Sequence, residues 1–561
     1  MPNCSHCGSP FEITQEDQDF ANSLATKAKV APFPPPKMCV LCRAQLRCAS
    51  YNQRILYPRK CDATGKEILS MYSPDKPFQV YDQEYWWSDK WDPMQYGRDY
   101  DFNKPFFEQF KALSDIVPRR NVFTAYKHDE NCEYTNHAGR NRNCYLIFDS
   151  DDSWDCMFCQ SINSCKNCLD CYRTKECELS YECIDSQNLY NCKFCQNSVH
   201  CQDSAYLHNC IGCKNCMFCV NQHQKEYCLF NEQLTKEEYE QRSQELKTSS
   251  YKVLSAAYEK LDEHIKDTPR RYRQDVQTEN CTGDYLSNCK NASFCFDSRD
   301  LYDCKYIFLA FMKATNCMDC NEIGDNVECC FQCSTVGYNA RSCINCNRCL
   351  EQVDNLTCCE DCTQSNNSFG CVSLRKKEFC ILNMQYAKEE YFELLPKIID
   401  HLVSTDEWGK YFPKETLQFA YNESVAMDMF PLTKEEALAQ GWKWKDDLPF
   451  TTGQETITWD QVADDIADID DSICDEVLAC EVTGKNFRIT KQELAFYKKL
   501  NVALPRMCFD ERHRRRKVKR NPWQLWLRKC DKCSEEIWST FAPERAETVF
   551  CEECYHGEVY G

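Results

Sequence analysis

Between Cys144 and Cys219 every third residue is Cys, Ser, Thr, Ile or Leu at 26 consecutive positions, fifteen of them cysteine. All seventeen cysteines from Cys132 to Cys228 keep the same phase. Neither the 3.6-residue period of a helix nor the two-residue alternation of a strand gives this spacing. The backbone must turn one side chain in three toward a narrow, dry interior. Written in blocks of 18, the segment falls into register as 150–167, 168–185, 186–203 and 204–221. Position 16 is always Cys (Cys165, Cys183, Cys201, Cys219), position 18 is Asn or Asp, and position 5 is Trp154, Tyr172, Tyr190 or His208. An 18-residue coil of short extended pieces predicts a parallel β-helix. It would have six small inward residues per coil, a recurring Asx turn and an outward ladder of rings. Ser, Ile and Leu share the columns with Cys and cannot replace a thiolate on zinc. The array cysteines therefore read as small buried hydrophobes and not as tandem zinc knuckles.

A second, less regular array spans 279–384, with a 16-residue step that relates Cys330, Cys346 and Cys362, Cys333 and Cys349, and Cys343 and Cys359. The arrays end alike. Lys225-Glu-Tyr-Cys228-Leu-Phe-Asn231 and Lys236-Glu-Glu-Tyr239 recur at an offset of 152 as Lys377-Glu-Phe-Cys380-Ile-Leu-Asn383 and Lys388-Glu-Glu-Tyr391. A capping box at Thr235-x-x-Glu238 opens a helix expected to run through about residue 266 and to cover the open end of the coil. Thr433-x-x-Glu436 opens another.

The termini carry the metal signal. Cys4-x2-Cys7 with Cys39-x2-Cys42, and Cys530-x2-Cys533 with Cys551-x2-Cys554, each supply four thiolates on two tight knuckles. That is the closed tetrahedral set zinc takes in structural sites, with no position open for water. The two ends are also copies of each other. Cys39, Arg43, Arg47, Asn52, Leu56, Arg59, Lys60 and Cys61 recur at an offset of 469 as Cys508, Arg512, Arg516, Asn521, Leu525, Arg528, Lys529 and Cys530. Cys4 to Thr14 likewise matches Cys480 to Thr490. Each end is therefore a pair of ribbons that keeps one complete site. The second N-terminal ribbon has Cys61 with Thr64, Asp82 and Tyr85; the first C-terminal ribbon has Cys480 and Cys508 with Thr483 and Glu511. Two zinc ions per chain are expected.

Between the ribbons of each pair lies a basic connector. Residues 512–529 hold nine Lys or Arg and no acid, and residues 43–60 hold five and no acid. Basic side chains with interleaved aromatics suit a phosphate backbone and unstacked bases. The candidate nucleic-acid contacts are Arg512, Arg514, Arg515, Arg516, Lys517, Lys519, Arg520, Trp523 and Trp526. The competing reading is internal, the connector facing the chain's own acidic run at 460–476, which has eight Asp or Glu and no base.

The other signals set limits. The chain has 561 residues, 47 cysteines, ten histidines and a formal charge of −20. No secretory signal opens it, and no apolar run approaches a membrane span. A cytoplasmic protein with reduced thiols is expected. No HExxH, P-loop, GxSxG or dinucleotide fingerprint occurs, so no catalytic residue and no small-molecule substrate is assigned. The segments YPRKCDATGKEILSMYSPDKPFQVYDQEYWWSDKWD (57–92), FRITKQELAFYKKLNVALPRMC (487–508) and KCDKCSEEIWSTFAPERAETVFCEECY (529–555) resemble a group of zinc-ribbon, cysteine-rich repeat proteins of candidate-phyla bacteria. That resemblance implies no activity. The cysteine coils resemble, in architecture alone, the β-helix of tubulin-folding cofactor C and cyclase-associated proteins.

The expected fold is mostly β with helical linkers, two parallel β-helix arrays flanked by zinc-ribbon pairs. Its segments are the N-terminal ribbon and basic connector (1–60), a degenerate ribbon and linker (61–128), the first β-helix (129–232) and a helical cap (233–278). Then come the second β-helix (279–384), a helical and acidic linker (385–473), a degenerate ribbon and basic connector (474–529), and the C-terminal ribbon (530–561). The function this suggests is a non-enzymatic zinc-binding scaffold that meets RNA or a protein through its ribbons and coil faces. The rival is a thiol-rich redox or soft-metal-handling protein.

Overall fold

The thiol phase does wind a parallel β-helix, but each coil closes at twelve positions and not at 18. In the computed structural model, Arg142 bridges Trp154, Trp154 bridges Lys166, and the same step continues through Gln202 and Lys214 to Glu226. The structure describes residues 1–560 apart from 126, 247, 311–312, 324–326, 329–331, 338–346 and 351–354. Each coil has four legs of three residues. The first residue bridges to the neighbouring coils, the second takes a left-handed backbone, and the third points inward. Positive φ recurs at every third position from Asn131 to Phe230. Asn and Asp tolerate it best, and they also bond up the stack. Asn131 donates to Asn143 at 3.0 Å, Asn143 to Asp155 at 3.1 Å and Asn191 to Asp203 at 2.8 Å.

The hydrogen bonds explain the composition of the interior. Trp154 donates its amide to the Cys165 carbonyl, one coil on, and Asp155 to the Arg142 carbonyl, one coil back, both at 2.9 Å. The amide of the third residue meets no carbonyl in this ladder. It points at the side chain one coil back: Cys165 N to Ser153 Oγ at 3.2 Å, Cys216 N to Ser204 Oγ at 3.0 Å, Cys171 N to Cys159 Sγ at 3.4 Å. The Cys159 thiol itself donates to the carbonyls of Met157 at 3.2 Å and Cys168 at 3.6 Å. A buried amide without an acceptor is costly. The columns therefore favour a small side chain that carries a lone pair, and Cys, Ser and Thr qualify. Ile and Leu fill space without offering an acceptor.

An 18-residue repeat spans six legs, one and a half of these coils, so successive blocks start on opposite faces. There are four inward residues per coil instead of six. Cys165 and Cys201 share a file with Cys177 and Cys213, whereas Cys183 and Cys219 share the opposite file with Cys195. The ring ladder splits in the same way. Trp154 and Tyr190 are 52% and 44% exposed, while Tyr172 and His208 are buried on the far side. A true ladder runs once per coil through Phe194, Tyr206, Phe218 and Phe230, with centroids 4.7, 4.4 and 4.7 Å apart.

The second β-helix opens with the strand Val276–Glu279. It keeps the twelve-residue step at Gly283 to Cys295 and Lys290 to Tyr302. One residue more is taken up at Leu301 to Ala314, Lys305 to Met318 and Ser334 to Asn347. At Leu356 to Ser368 and Asn366 to Glu378 the step of twelve returns. The 16-residue step is not a coil length, and Cys330, Cys343 and Cys346 lie outside the described residues. The two arrays do end alike. Asn231 clasps the backbone of Val220 at 2.9 and 3.0 Å, and Asn383 clasps that of Val372 at 2.8 and 2.9 Å. Each then folds into a short antiparallel hairpin.

Both expected capping boxes form. The helix expected through residue 266 is two helices, Lys236–Ser243 and Tyr251–Lys266. Tyr239 of the first meets Tyr227 beside the last coil at 5.9 Å. The second lies along the flank, Tyr258 meeting the rings of Phe194 and Tyr206 at 5.2 and 5.8 Å. The β-helices themselves lie side by side and antiparallel. Tyr285 donates to Asn197 at 2.9 Å, Arg173 pairs with Asp297 at 3.3 Å, and Gln53 joins Gln160 (3.0 Å) to Glu322 (2.7 Å).

The acceptor argument sets an order of stabilities. Cys159→Val leaves the Cys171 amide facing hydrocarbon and is expected to cost about 1–3 kcal/mol. Cys159→Ser keeps the acceptor and should cost less, although serine is the more polar residue. Denaturant titration ranks the two, and a Val variant more stable than the Ser variant would refute the argument.

Candidate metal centres and the buried arginine helices

All four ribbons begin with one turn. Cys4 donates its amide to the Ser9 carbonyl at 2.8 Å and Gly8 donates to the Cys4 carbonyl at 2.9 Å. The same pair of bonds recurs at Cys61, Cys480 and Cys530, at 2.8 to 2.9 Å. The turn requires a left-handed residue, filled by Gly8, Gly65, Gly484 and Ser534. The second half of each ribbon is not a second knuckle. Cys39, Asp82, Cys508 and Cys551 are the N-caps of the helices Val40–Cys48, Gln83–Trp86, Phe509–Val518 and Glu552–Val559. Cys42 and Cys554 thus sit in a first helical turn. A two-residue spacer fits either geometry, which is why spacing alone could not separate them. The helix N-terminus also favours the thiolate form.

The candidate ligands Cys4, Cys7, Cys39 and Cys42 converge at one end, and Cys530, Cys533, Cys551 and Cys554 at the other. Within each quartet all Sγ atoms lie within 4.8 Å of one another. Cys7 and Cys39 are 4.0 Å apart, and Cys533 and Cys551 3.7 Å. A tetrahedron of ~2.3 Å metal–sulfur bonds puts its sulfurs about 3.8 Å apart, so either quartet could hold a metal ion. Burial pushes the Cys530 thiol up, but the amides of Cys533, Cys551 and Lys532 turned toward it bring it down to about 6. The Cys42 thiol donating to Cys39 draws that group down to about 5. Among the described residues no other group of three or more Cys, His, Asp or Glu donors comes this close. The array thiols, for all their number, form no such cluster there.

The two degenerate ribbons keep the shape and replace the ligands. Thr64 donates to Asp82 at 3.1 Å, and Asp82 donates its amide to Cys61 Sγ at 3.3 Å. The equivalent contact in a complete ribbon is the Cys551 amide to Cys530 Sγ at 3.2 Å. In the third ribbon, which opens at Cys480, Thr483 lies 3.7 Å from the Cys508 sulfur, and Glu511 turns away to pair with Arg514 and Arg515.

Sequence reasoning placed the basic connector beside nucleic acid or the acidic run at 460–476; much of it faces the first β-helix. Arg512 pairs with Asp170 at 3.2 Å and Glu493 at 3.4 Å, and Arg516 with Asp170 at 3.0 Å and Glu182 at 2.8 Å. Arg520 pairs with Asp185 at 2.7 Å and also with Asp297, which accepts from the Trp523 indole at 2.6 Å. The side chains of Arg512, Arg516 and Arg520 are 3%, 1% and 6% exposed. Trp523 is buried and Trp526 half-buried. Lys517 is half-buried, 5.7 Å from the Tyr172 ring; Lys519 is exposed, 4.6 Å from the Tyr258 ring. Arg514 and Arg515 remain exposed, held by Glu511.

The N-terminal copy repeats the arrangement on the other β-helix. Arg43 pairs with Asp319 at 2.9 Å, and Arg47 reaches Asp319 at 3.4 Å and Asn321 at 2.7 Å. The acidic run finds different partners, Asp471 with Lys498 at 2.7 Å and Asp465 with Ser249 at 2.8 Å. The residues missed in the sequence are Asp170, Asp185, Asp297 and Asp319. All four are left-handed Asx positions, and nothing in their spacing marks them apart from the many Asn and Asp in that phase.

Burial pushes the Asp297 carboxyl up, and Arg173 and Arg520 more than reverse it, holding it at about 2. Burial pushes Glu182 up to about 7, against the pull of Arg516. No helix among the described residues is long and apolar enough to cross a membrane. In comparisons with known proteins, no family model and no curated protein matches the chain.

Two outcomes are expected. The double variant Thr483→Cys/Glu511→Cys should restore a third thiolate quartet and raise bound metal by one ion per chain over wild type, read by elemental analysis. Asp297→Asn leaves the buried guanidiniums of Arg173 and Arg520 sharing Asp185 and should destabilise by about 1–3 kcal/mol. Because the Asp297 pKa is depressed, its contribution is present above the unfolded value near pH 4 and fades as pH falls toward 2. The wild-type advantage over the Asn variant should therefore shrink across that window.

Proposed function

We propose that the chain is a zinc-binding, non-enzymatic scaffold, its two zinc ions structural, and that its partner is a protein. The observation that carries this reading is the pair of closed all-cysteine quartets, each built from one tight turn and one helix N-terminus. Four thiolates leave no vacant position for substrate, and a soft tetrahedral set is the one zinc favours. A protein partner is preferred to RNA because three of the connector's arginines are spent on buried carboxylates and the net charge is −20. What the first β-helix offers outward is a mixed face with Trp154, Tyr190 and Ile211 exposed. Such rings, set among polar side chains, are common anchors of protein interfaces. The scaffold belongs to the cytoplasm, where its thiols stay reduced, and on sequence resemblance to the zinc-ribbon, cysteine-rich proteins of candidate-phyla bacteria.

The redox or soft-metal alternative loses support from the packing of the array. Thiols that donate to a carbonyl and accept an amide have their polar capacity used where they stand.

Metal analysis and affinity capture test the reading together. Purified protein is expected to carry two zinc ions, with most thiols unreactive until the chain is denatured. Capture from the native cell should retain a protein in a nuclease-insensitive manner, and Trp154→Ala/Tyr190→Ala should lose it. Many thiol-bound copper or iron atoms would favour the alternative. Retention abolished by nuclease and by Arg514→Ala/Arg515→Ala would favour RNA.

A further inference from the structure

The four ribbons share one frame, so the same place can be compared in each. Eight residues after the opening cysteine stand Glu12, Leu69, Arg488 and Trp538. Only the last ribbon puts a ring there. It lies on the hairpin of the strands Trp526–Lys529 and Glu536–Ser539, where Leu527 stands opposite Trp538 and Lys529 opposite Glu536. Facing residues of an antiparallel pair point to the same side of the sheet, as do residues two apart on one strand. These four side chains therefore make one outward face.

That face is turned to solvent. Leu527 is 47% exposed and Trp538 52%, while Ile537 and Ser539, on the other side of the hairpin, are buried. Lys529 and Glu536 are exposed as well, and neither makes an ion pair among the described residues. The copy in the second ribbon is built differently. There Pro58 stands opposite Leu69, which is half-buried, and Lys60 and Glu67 pair with each other at 3.6 Å. The second ribbon satisfies its charges within itself and shows no ring. The last ribbon leaves both the apolar pair and the charged pair open.

We propose that this face joins a second copy of the chain in a two-fold dimer. The four side chains are complementary to themselves about an axis that runs along the strands, midway between them. Rotation about it lays Leu527 on the second copy's Trp538 and Lys529 on the second copy's Glu536. Each contact then occurs twice, as an isologous interface requires. A two-fold across the strands would instead set Leu527 on Lys529 and Trp538 on Glu536, burying charge against hydrocarbon, so the charged pair fixes the alignment. Four side chains from each copy bury far less than the ~1,600 Å² of a standard interface, and the dimer is accordingly weak and reversible. The Trp154 and Tyr190 face takes no part in it.

The test uses the purified, metal-loaded, full-length protein in about 0.15 M salt, which screens the charge carried elsewhere on the chain. Sedimentation velocity from about 1 µM to about 300 µM is expected to show monomer passing into dimer. Trp538→Ala should weaken the dimer about tenfold or more. Should that variant fail to keep its metal or its cooperative melt, Leu527→Gln carries the same expectation. Lys529→Glu alone and Glu536→Lys alone each set like charges against one another and should sediment as monomers over the same range. An equimolar mixture of those two variants restores both ion pairs and should dimerise again. Monomer at every concentration of wild type, a dimer that tolerates loss of the ring, or no recovery in the mixture would overturn the proposal.

Discussion

The amide of the inward residue in each three-residue leg decides what this protein can be made of. A coil of only four legs is so narrow that two of every three backbone amides find carbonyls on neighbouring coils, and the third points into the bore. That third amide can be satisfied only by a side chain one coil away, and the bore admits only a small one. Serine meets both conditions but adds a polar hydroxyl. Cysteine meets them with a larger, softer, more apolar atom. A thiol accepts weakly, as the 3.4 Å contact to Cys159 reflects, yet it contributes apolar burial at the same time. The dense cysteine of the middle follows from the geometry of the backbone and calls for no metal.

A bore of this kind has no wide apolar face with which to hold the rest of the chain, and the molecule solves this with ion pairs. Each terminal arginine helix docks on the β-helix farther from it in sequence: Arg43 and Arg47 on the second, Arg512 and Arg516 on the first. The carboxylates they meet are offered by the left-handed corner of a coil, where Asp is already favoured. Removing one member would leave charge stranded in a dry seam, so these contacts specify the arrangement strongly. The chain closes on itself, its first and last segments each fixing the other half.

Much of this was legible before any coordinate. The three-residue phase announced a solenoid with an inward thiol column, and the doubled pattern of Cys4 to Cys61 and Cys480 to Cys554 announced paired ribbons with one metal quartet each. The coil length was misread because position 16 of the 18-residue block recurs perfectly. That regularity belongs to a repeat unit of six legs, whereas hydrogen bonding closes after four, and only the register of Trp154 on Lys166 distinguishes them. The burial of Arg512, Arg516 and Arg520 was hidden for a different reason. A run such as Arg514-Arg515-Arg516 carries no mark of which side is buried. The acids that its helix meets, Asp170 and Glu182, belong to the first β-helix, far back along the chain, and Asp170 takes one of the commonest positions of the array.

The uneven survival of the metal quartets fits the same physical logic. In the first ribbon the knuckle segment up to Ile13 buries little beyond Cys4, and in the last the local core is Cys530, Ile537, Val549 and Cys551. Segments with so little apolar area need a staple. The second ribbon, by contrast, leads directly to Trp86 and Trp91, both buried in the largest core of the molecule. The third carries Leu478 and Ile489 into the core of the first β-helix. Where tertiary packing already holds the turn, a thiolate can drift to Thr64 or Thr483 without loss of shape. In the last ribbon, where the local core is only those four residues, all four cysteines remain as a set that could hold a metal ion.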